Sequence, residues 1–114
     1  MLILSLFFRN SKQTIKSATI GTTAYTLTPD DNIYIAQPGQ TVTLPDPATC
    51  IGQTYLIKLG GTHGGSGDTV TINVAVAGNL IEGNATHTLS SSWAFHRFVA
   101  GKDSAGVAIW MFIV

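Results

Sequence analysis

The side chains that could do chemistry in this sequence are few and widely spaced. One cysteine, Cys50, and three histidines, His63, His87 and His96, occur, and no spacing pairs the thiol with a general base. No Gly-x-Ser-x-Gly motif indicates a nucleophilic serine. Residues 60–68 are rich in glycine but lack the Gly-Lys-Ser/Thr ending of a phosphate-binding loop, which favours a surface loop. We therefore expect no catalytic residues and no enzyme activity.

A metal site is also not expected. The histidines lie too far apart in sequence for a helical or hairpin metal motif, although His87 or His96 would occur three times if three copies met on one axis. Asp30, Asp31 and Asn32 could offer oxygen atoms to Ca²⁺, but a turn uses the same groups for its own amides. We predict hydrogen-bonded or solvated histidines, no metal and no cofactor.

The composition is poor in charge. Charged residues make up 11% of the 114 residues and hydrophobic residues 45%, whereas globular domains carry about 25% charged residues. Six basic and six acidic residues cancel, so no phosphate-binding field for nucleic acid is expected. The length fits one domain. Because so few charged residues are available to cover the surface of the domain, we predict that part of this surface is buried against copies of the same chain. A monomer whose surface is covered by Thr, Ser and Asn is the alternative.

The N-terminal segment carries an apolar run of about seven residues, far short of the roughly 20 that cross a membrane as a helix. Its basic residues follow the run, unlike those of a secretory signal. No membrane partner is therefore expected. We predict an arm that docks on a neighbouring subunit or another protein, with a strand as the alternative; its docking residues would be Leu2, Ile3, Leu4, Leu6, Phe7 and Phe8.

Apolar and polar residues alternate with a period of two along most of the chain, which predicts nine or ten short strands separated by turns and no long helix. The clearest examples are residues 41–44 and 69–74. The pattern predicts an all-β fold: a single antiparallel β-sandwich of jelly-roll type over residues 23–114, with residues 1–22 as an arm or first strand.

The aromatic residues of the last two strands are two positions apart, as core residues are. Trp93, Phe95, Trp110 and Phe112, together with Val114, are predicted to pack in the core or between subunits. Aromatic rings also stack on sugars, so a carbohydrate site is the alternative. Because a bare apolar edge would invite aggregation, we expect the last strand to be central in its sheet and near a symmetry axis.

From about Ala24 onward, the order of segments resembles that of the knob and head domains of tailed-bacteriophage fibres, tail needles and capsid decoration proteins. The matching pieces are Tyr25-Thr26-Leu27-Thr28 with its Pro-Asp-Asp turn, Gln40-Thr41-Val42-Thr43-Leu44-Pro45, Gly52-Gln53-Thr54-Tyr55-Leu56-Ile57-Lys58, Asp68-Thr69-Val70-Thr71-Ile72, Ile81-Glu82-Gly83 and the aromatic terminal hairpin. The resemblance implies a TNF-like or jelly-roll sandwich that assembles as a homotrimer.

Within that family, the resemblance implies a structural role on the exterior of a virion assembled in the host cytoplasm. Only about 23 residues precede the matching region, in place of a long fibre shaft, which favours a capsid decoration or cement protein that stabilises the phage head. Its partners would be its own copies and the major capsid protein or another virion protein. The alternative is a tip that binds a receptor or a host-surface glycan, with the exposed loop residues Thr62, His63, Ser66 and Asp68 taking part.

Overall fold

The computed structural model describes residues 14–78 and 80–113. Two short 3₁₀ turns, Pro47–Thr49 and Ser66–Asp68, are the only helical elements in this part of the chain. None of the helices described is long and apolar enough to cross a membrane. The strands described are β1 Ile15–Ser17, β2 Ala24–Thr26, β3 Ile33–Ala36, β4 Thr41–Leu44, β5 Thr54–Leu59, β6 Val70–Val74, β7 Thr86–Leu89, β8 Phe95–Lys102 and β9 Ala108–Ile113.

The strands form two sheets that pack together as a sandwich-like fold. The five-stranded sheet has the order β1-β3-β5-β8-β9, and the four-stranded sheet has the order β2-β4-β6-β7. Up to β6 the chain changes sheet after every strand, so that odd strands lie in one sheet and even strands in the other. The mostly β architecture with two packed sheets agrees with the prediction. The predicted arm, Leu2 to Phe8, and Val114 lie outside the described residues.

The prediction of an antiparallel sandwich is wrong, because both sheets are mixed. The pairs β1–β3, β3–β5, β2–β4 and β4–β6 are parallel. The pairs β5–β8, β6–β7 and β8–β9 are antiparallel. A chain that crosses to the other sheet and returns runs in the same direction each time, so the next strand in a sheet is parallel to the last. Alternation in sequence reports which side chains face inward, not the direction of pairing.

The expectation that the last strand is central in its sheet is also wrong. Strand β9 is an edge strand, and residues 80–82, which precede β7, cover its edge. The Trp110 amide donates to Leu80 O at 3.0 Å, and the Glu82 amide donates to Trp110 O at 3.0 Å. The Glu82 carboxylate accepts the Phe112 amide at 2.8 Å. Because these bonds occupy the backbone of β9 on its outer side, the aggregation argument does not require a central position.

The core lies between the sheets and consists of the inward side chains of both. Trp110 is fully buried, and its Nε1 donates to Pro45 O at 2.9 Å, which satisfies the polar atom of the largest core residue. Tyr55 packs beside it with ring centroids 5.5 Å apart. The remaining fully buried large side chains are Tyr34, Phe98, Leu27, Leu44, Ile57, Leu59, Ile72, Ile81, Leu89 and Gln40.

Several polar side chains that stack or hydrogen-bond with one another lie at the end of the core beside β1 and β2. The Tyr25 ring stacks on Tyr34 at 4.7 Å, and the Lys16 Nζ lies 5.3 Å from the Tyr25 centroid. The Tyr25 hydroxyl donates to Asp31 Oδ2 at 2.6 Å. Burial, helped by this bond to Asp31, raises the pKa of Tyr25 to about 12. Burial alone would raise the pKa of Asp31, but the hydrogen bonds from Tyr25 and Thr28 hold it below its usual range. The carboxylate therefore stays charged and anchors this end.

Candidate functional site

The outer face of the four-stranded sheet is almost entirely threonine. Thr41 pairs with Thr71 and Thr43 with Asn73 across β4 and β6, and the threonines of β7 continue the same rows. Hydroxyl groups on the outside of a sheet stay hydrated, so they do not pay the free-energy cost of burying a polar group without a hydrogen bond. We call this surface the Thr face; it comprises Ala24, Thr26, Thr41, Thr43, Thr71, Asn73, Thr86 and Thr88.

The outer face of the five-stranded sheet is apolar. Ile15, Ile33 and Leu56 lie side by side on β1, β3 and β5, and Val99 pairs with Met111 across β8 and β9. Three of its large side chains are exposed: Ile15 at 63%, Phe95 at 57% and Ile113 at 36%. We call this surface the apolar face; its hydrophobic members are Ile15, Ile33, Ile35, Leu56, Phe95, Val99, Ile109, Met111 and Ile113.

The described residues form two sheets, so no third layer of described structure covers the apolar face. Strands about 4.8 Å apart with a rise of about 3.3 Å per residue give this face a projected area of roughly 400 Å². Soluble monomers rarely expose contiguous apolar patches beyond a few hundred Å². Its basic side chains are Lys58, which donates to Trp93 O at 2.8 Å, and Arg97, whose neighbours across the ladder are Leu56 and Ile113.

The structure divides the aromatic residues predicted for the core or the interface. Trp110 is fully buried, and Phe112 packs partly buried against the core. Phe95 lies on the apolar face and is 57% exposed, and Trp93 is 55% exposed in the turn before β8. Trp110 and Phe112 therefore belong to the core, whereas the Trp93 and Phe95 side chains are exposed, and an interface role for them stays a prediction.

Trp93 is held in an unusual conformation. Its φ is +60°, in the left-handed region that costs a bulky residue free energy. Its amide donates to Gly61 O at 2.9 Å, and its carbonyl accepts the Lys58 Nζ, which also lies 5.1 Å from the Phe95 ring centroid. The backbone that carries the exposed indole is therefore fixed by its neighbours on both sides.

Part of the predicted recognition loop lies beside Trp93. The His63 amide donates to the Ser92 hydroxyl at 2.9 Å, which places Thr62 and His63 next to this turn. The Asp68 carboxylate instead accepts the Gly64 amide at 2.8 Å and shapes the loop itself. Ser66 begins the short turn Ser66–Asp68. Trp93 also lines an open groove of about 350 Å³, together with Thr88, Ser90, Ser91, Phe95, His87 and His96, among others.

The groups that could do chemistry do not form a reactive set. Cys50 is partly buried, and burial raises the pKa of its thiol, which lowers the thiolate fraction at neutral pH. In residues 14–78 and 80–113 there is no group of three or more His, Cys, Asp or Glu side chains that could hold a metal ion. His87 and His96, however, lie close together, with ring centroids 4.5 Å apart. Sequence separation gave no sign of this, because the two strands belong to different sheets.

Most of the apolar face was missed by reasoning from the sequence. Of its nine hydrophobic members only Phe95 was among the predicted interface residues. A usable signal exists: β3 and β9 contain unbroken apolar runs, Ile33-Tyr34-Ile35-Ala36 and Ile109-Trp110-Met111-Phe112-Ile113, whereas β4 alternates with threonine. Unbroken runs indicate strands that are buried on both faces. No protein-family model matches the chain, and no curated protein is found to be similar to it.

Proposed function

We propose that the protein is a non-catalytic structural module that associates with copies of itself through the apolar face. The observation that carries the proposal is the contrast between the two outer faces of one small fold, one lined with threonine and one with isoleucine, leucine, valine, methionine and phenylalanine. Burying apolar surface contributes about 25 cal/mol per Å². A second copy offers the same surface, so both partners lose their exposed apolar area together.

The position of Arg97 favours a cyclic trimer over a twofold dimer. A twofold axis through the centre of the apolar face brings the residues nearest the axis close to their own copies. Arg97 lies on β8, next to the central strand β5, so two Arg97 side chains would approach each other. A threefold arrangement places different parts of the face in contact. Arg97 of one copy then lies against another region of its neighbour, and its long side chain can reach the rim of the interface.

The order of sequence segments supports a role in a virus particle. On this basis we propose a capsid decoration or cement protein on the exterior of a tailed bacteriophage head, assembled in the host cytoplasm. Its partners are its own copies and the major capsid protein or another virion protein. The segment with Leu2, Ile3, Leu4, Leu6, Phe7 and Phe8 is the proposed contact with the particle, and it lies outside the described residues.

Self-association is tested by sedimentation of the full chain at micromolar concentration, together with one variant on each outer face. We expect a trimer for the unchanged protein. Val99→Asp places a carboxylate in the centre of the apolar face and should weaken association by at least about 100-fold, because an unpaired charge would have to leave water for the two surfaces to meet. Thr43→Asp is the matched control on a central strand of the other sheet and should leave the trimer intact.

A well-folded single-copy species for the unchanged protein contradicts the proposal. Equal weakening of association in Val99→Asp and Thr43→Asp also contradicts it, because association would then not distinguish the two faces. Circular dichroism and thermal unfolding of each variant show that it is folded. If Val99→Asp does not fold, Met111→Lys probes the same face at an edge strand.

A second candidate function is recognition of a cell-surface receptor or glycan by a fibre or needle tip. The observation that favours it is the exposed Trp93, fixed at positive φ beside the loop with Thr62 and His63. Bulky residues held at positive φ are common at binding sites, and indole rings stack on sugar faces. A recognition role requires that the assembled protein bind intact host cells and that this binding depend on the Trp93 side chain.

A further inference from the structure

Two imidazoles meet between the sheets at the end of β7. His87 projects inward from β7 and His96 from β8, and their ring centroids are 4.5 Å apart in an edge-to-face contact. The Phe112 ring lies 4.8 Å from His87 and 4.9 Å from His96, and the Phe98 ring lies 6.2 Å from His87. The pair is therefore part of the aromatic packing that joins the last strand of the four-stranded sheet to β8 and β9.

The neutral form of His87 suits this site better than the charged form. Its Nε2 is buried and has no hydrogen-bond partner among the described residues. A protonated imidazole needs acceptors for both N–H groups, and an unpaired buried charge costs more than an unpaired neutral atom. Burial, and to a lesser degree His96, lower the pKa of His87 below its usual 6.5.

Few charged groups surround the pair. Strands β6 and β9 carry no titratable side chain, and β7 carries only His87. On β8, Arg97 is on the outer face and Lys102 is at the far end of the strand. The nearby Glu82 carboxylate is bound to the Phe112 amide at 2.8 Å. Lys58 of β5 is on the outer face, bound to Trp93 O. No carboxylate among these elements is left to balance a positive charge on His87.

We propose that His87 forms an acid-sensitive contact with His96 and Phe112 that holds β7 against β8 and β9, and that protonation of His87 releases β7. Strand β7 is suited to local release because it is an edge strand whose only ladder partner among the described strands is β6. Release would expose Phe98 and Phe112 at one end of the sandwich while the rest of the two sheets stays paired. The contact lies within one chain, so the proposal does not depend on self-association.

The direction of the pH dependence follows from how strongly His87 binds protons in two states: the folded state, and the open state in which β7 is released. A histidine whose pKa is lowered in the folded state binds protons more weakly there than in the open state. The stabilisation of β7 is then fully present above about pH 6.5, the usual histidine value, and declines as the pH falls below it.

Hydrogen exchange of the β7 amides at pH 7.5 and 5.0 tests the proposal, with rates corrected for the intrinsic effect of pH. The full chain is used at one concentration, and sedimentation at both pH values establishes its oligomeric state. We expect protection of residues 86–89 to fall at least tenfold at pH 5.0, while residues 41–44 of β4 change less than twofold. His87→Phe keeps an aromatic ring and should reduce the fall to less than threefold. His63→Phe, the same change at the third histidine, should behave as the unchanged protein.

An undiminished fall in His87→Phe, or no fall in the unchanged protein, overturns the proposal. If His87→Phe does not fold, His87→Gln removes the same titration and takes its place. Addition of Zn²⁺ at pH 7.5 separates a metal-held pair from a proton-controlled one: a tenfold rise in protection of β7 with Zn²⁺ overturns the proposal in favour of a metal site.

Discussion

The two sheets have the same kind of interior and opposite kinds of exterior. Both turn apolar side chains inward with a period of two, and both contain three parallel strands built by the same crossing chain. Outward, the four-stranded sheet presents threonines that suit water, and the five-stranded sheet presents branched and long apolar side chains. The inward pattern therefore accounts for the fold of one chain, and the outward difference is the basis of the proposed self-association.

The largest effect on stability is expected at Trp110, which faces the core from β9. The outward residues of the same strand belong to the apolar face. Trp110→Ala removes a fully buried indole and its bond to Pro45, and we expect a loss of about 3–5 kcal/mol in unfolding free energy. Met111→Ala, one residue away and facing outward, should cost the monomer only about 1 kcal/mol or less. Chemical denaturation measures both, and sedimentation should show weaker association for Met111→Ala. Similar losses of stability at the two positions would contradict the assignment of their faces.

A smaller effect is expected from the charge within the apolar face. Within residues 14–78 and 80–113, no described hydrogen bond or ion pair reaches the Arg97 guanidinium. Arg97→Leu should tighten association by about tenfold, or roughly 1.4 kcal/mol, because leucine adds apolar area to the interface at a position where the arginine side chain only reaches the rim. Lys102→Leu, at the exposed end of the same strand, is the control and should have little effect. Sedimentation equilibrium measures both, and weaker association of Arg97→Leu would mean that a neighbouring copy supplies an acceptor.

The smallest effect on association is expected at Trp93, which lies in a turn and not on the ladder of the apolar face. Trp93→Ala should change the association free energy by less than about 0.5 kcal/mol, the usual range for surface changes. If the protein recognises cells, the same variant loses binding to them, measured by pull-down of labelled protein with intact host cells. Trp93→Phe is the control that keeps a ring. A collapse of the trimer in Trp93→Ala would extend the interface to this turn.

The sequence predicts the positions of the strands well, but it predicts poorly how the strands pair in the sheets. Residues 41–44 and 69–74 alternate cleanly, and β4 and β6 lie there, because burial of one face leaves a period of two. Pairing direction depends on where the chain goes after each strand, and alternation carries no information about it. Residues 80–84 form no strand, and Ile81 makes only isolated bridges, with Asn84 and with Trp110.

For the site residues, too, the sequence predicts single conspicuous residues but not the residues that lie beside them. Trp93 and Phe95 are predicted from the sequence because large aromatic residues are conspicuous in any apolar segment. Ile33, Leu56 and Val99 were missed because each is ordinary in a strand and is informative only beside its ladder neighbours. The contact of His87 with His96 depends on two strands from different sheets and could not be seen in their sequence spacing.

The crossing of the chain between sheets also sets the order in which the protein can fold. Ile15 pairs with Ile33, Thr41 with Thr71 and Tyr55 with Phe98, so these contacts join residues 18, 30 and 43 positions apart. Among the described strands, only the β8–β9 hairpin closes locally, where Lys102 meets Ala108. Long loop closures are slow, and folds dominated by them form in milliseconds to seconds. The hairpin can therefore form before the parallel ladders, and the apolar face, the surface of the proposed self-association, is complete only when those ladders have closed.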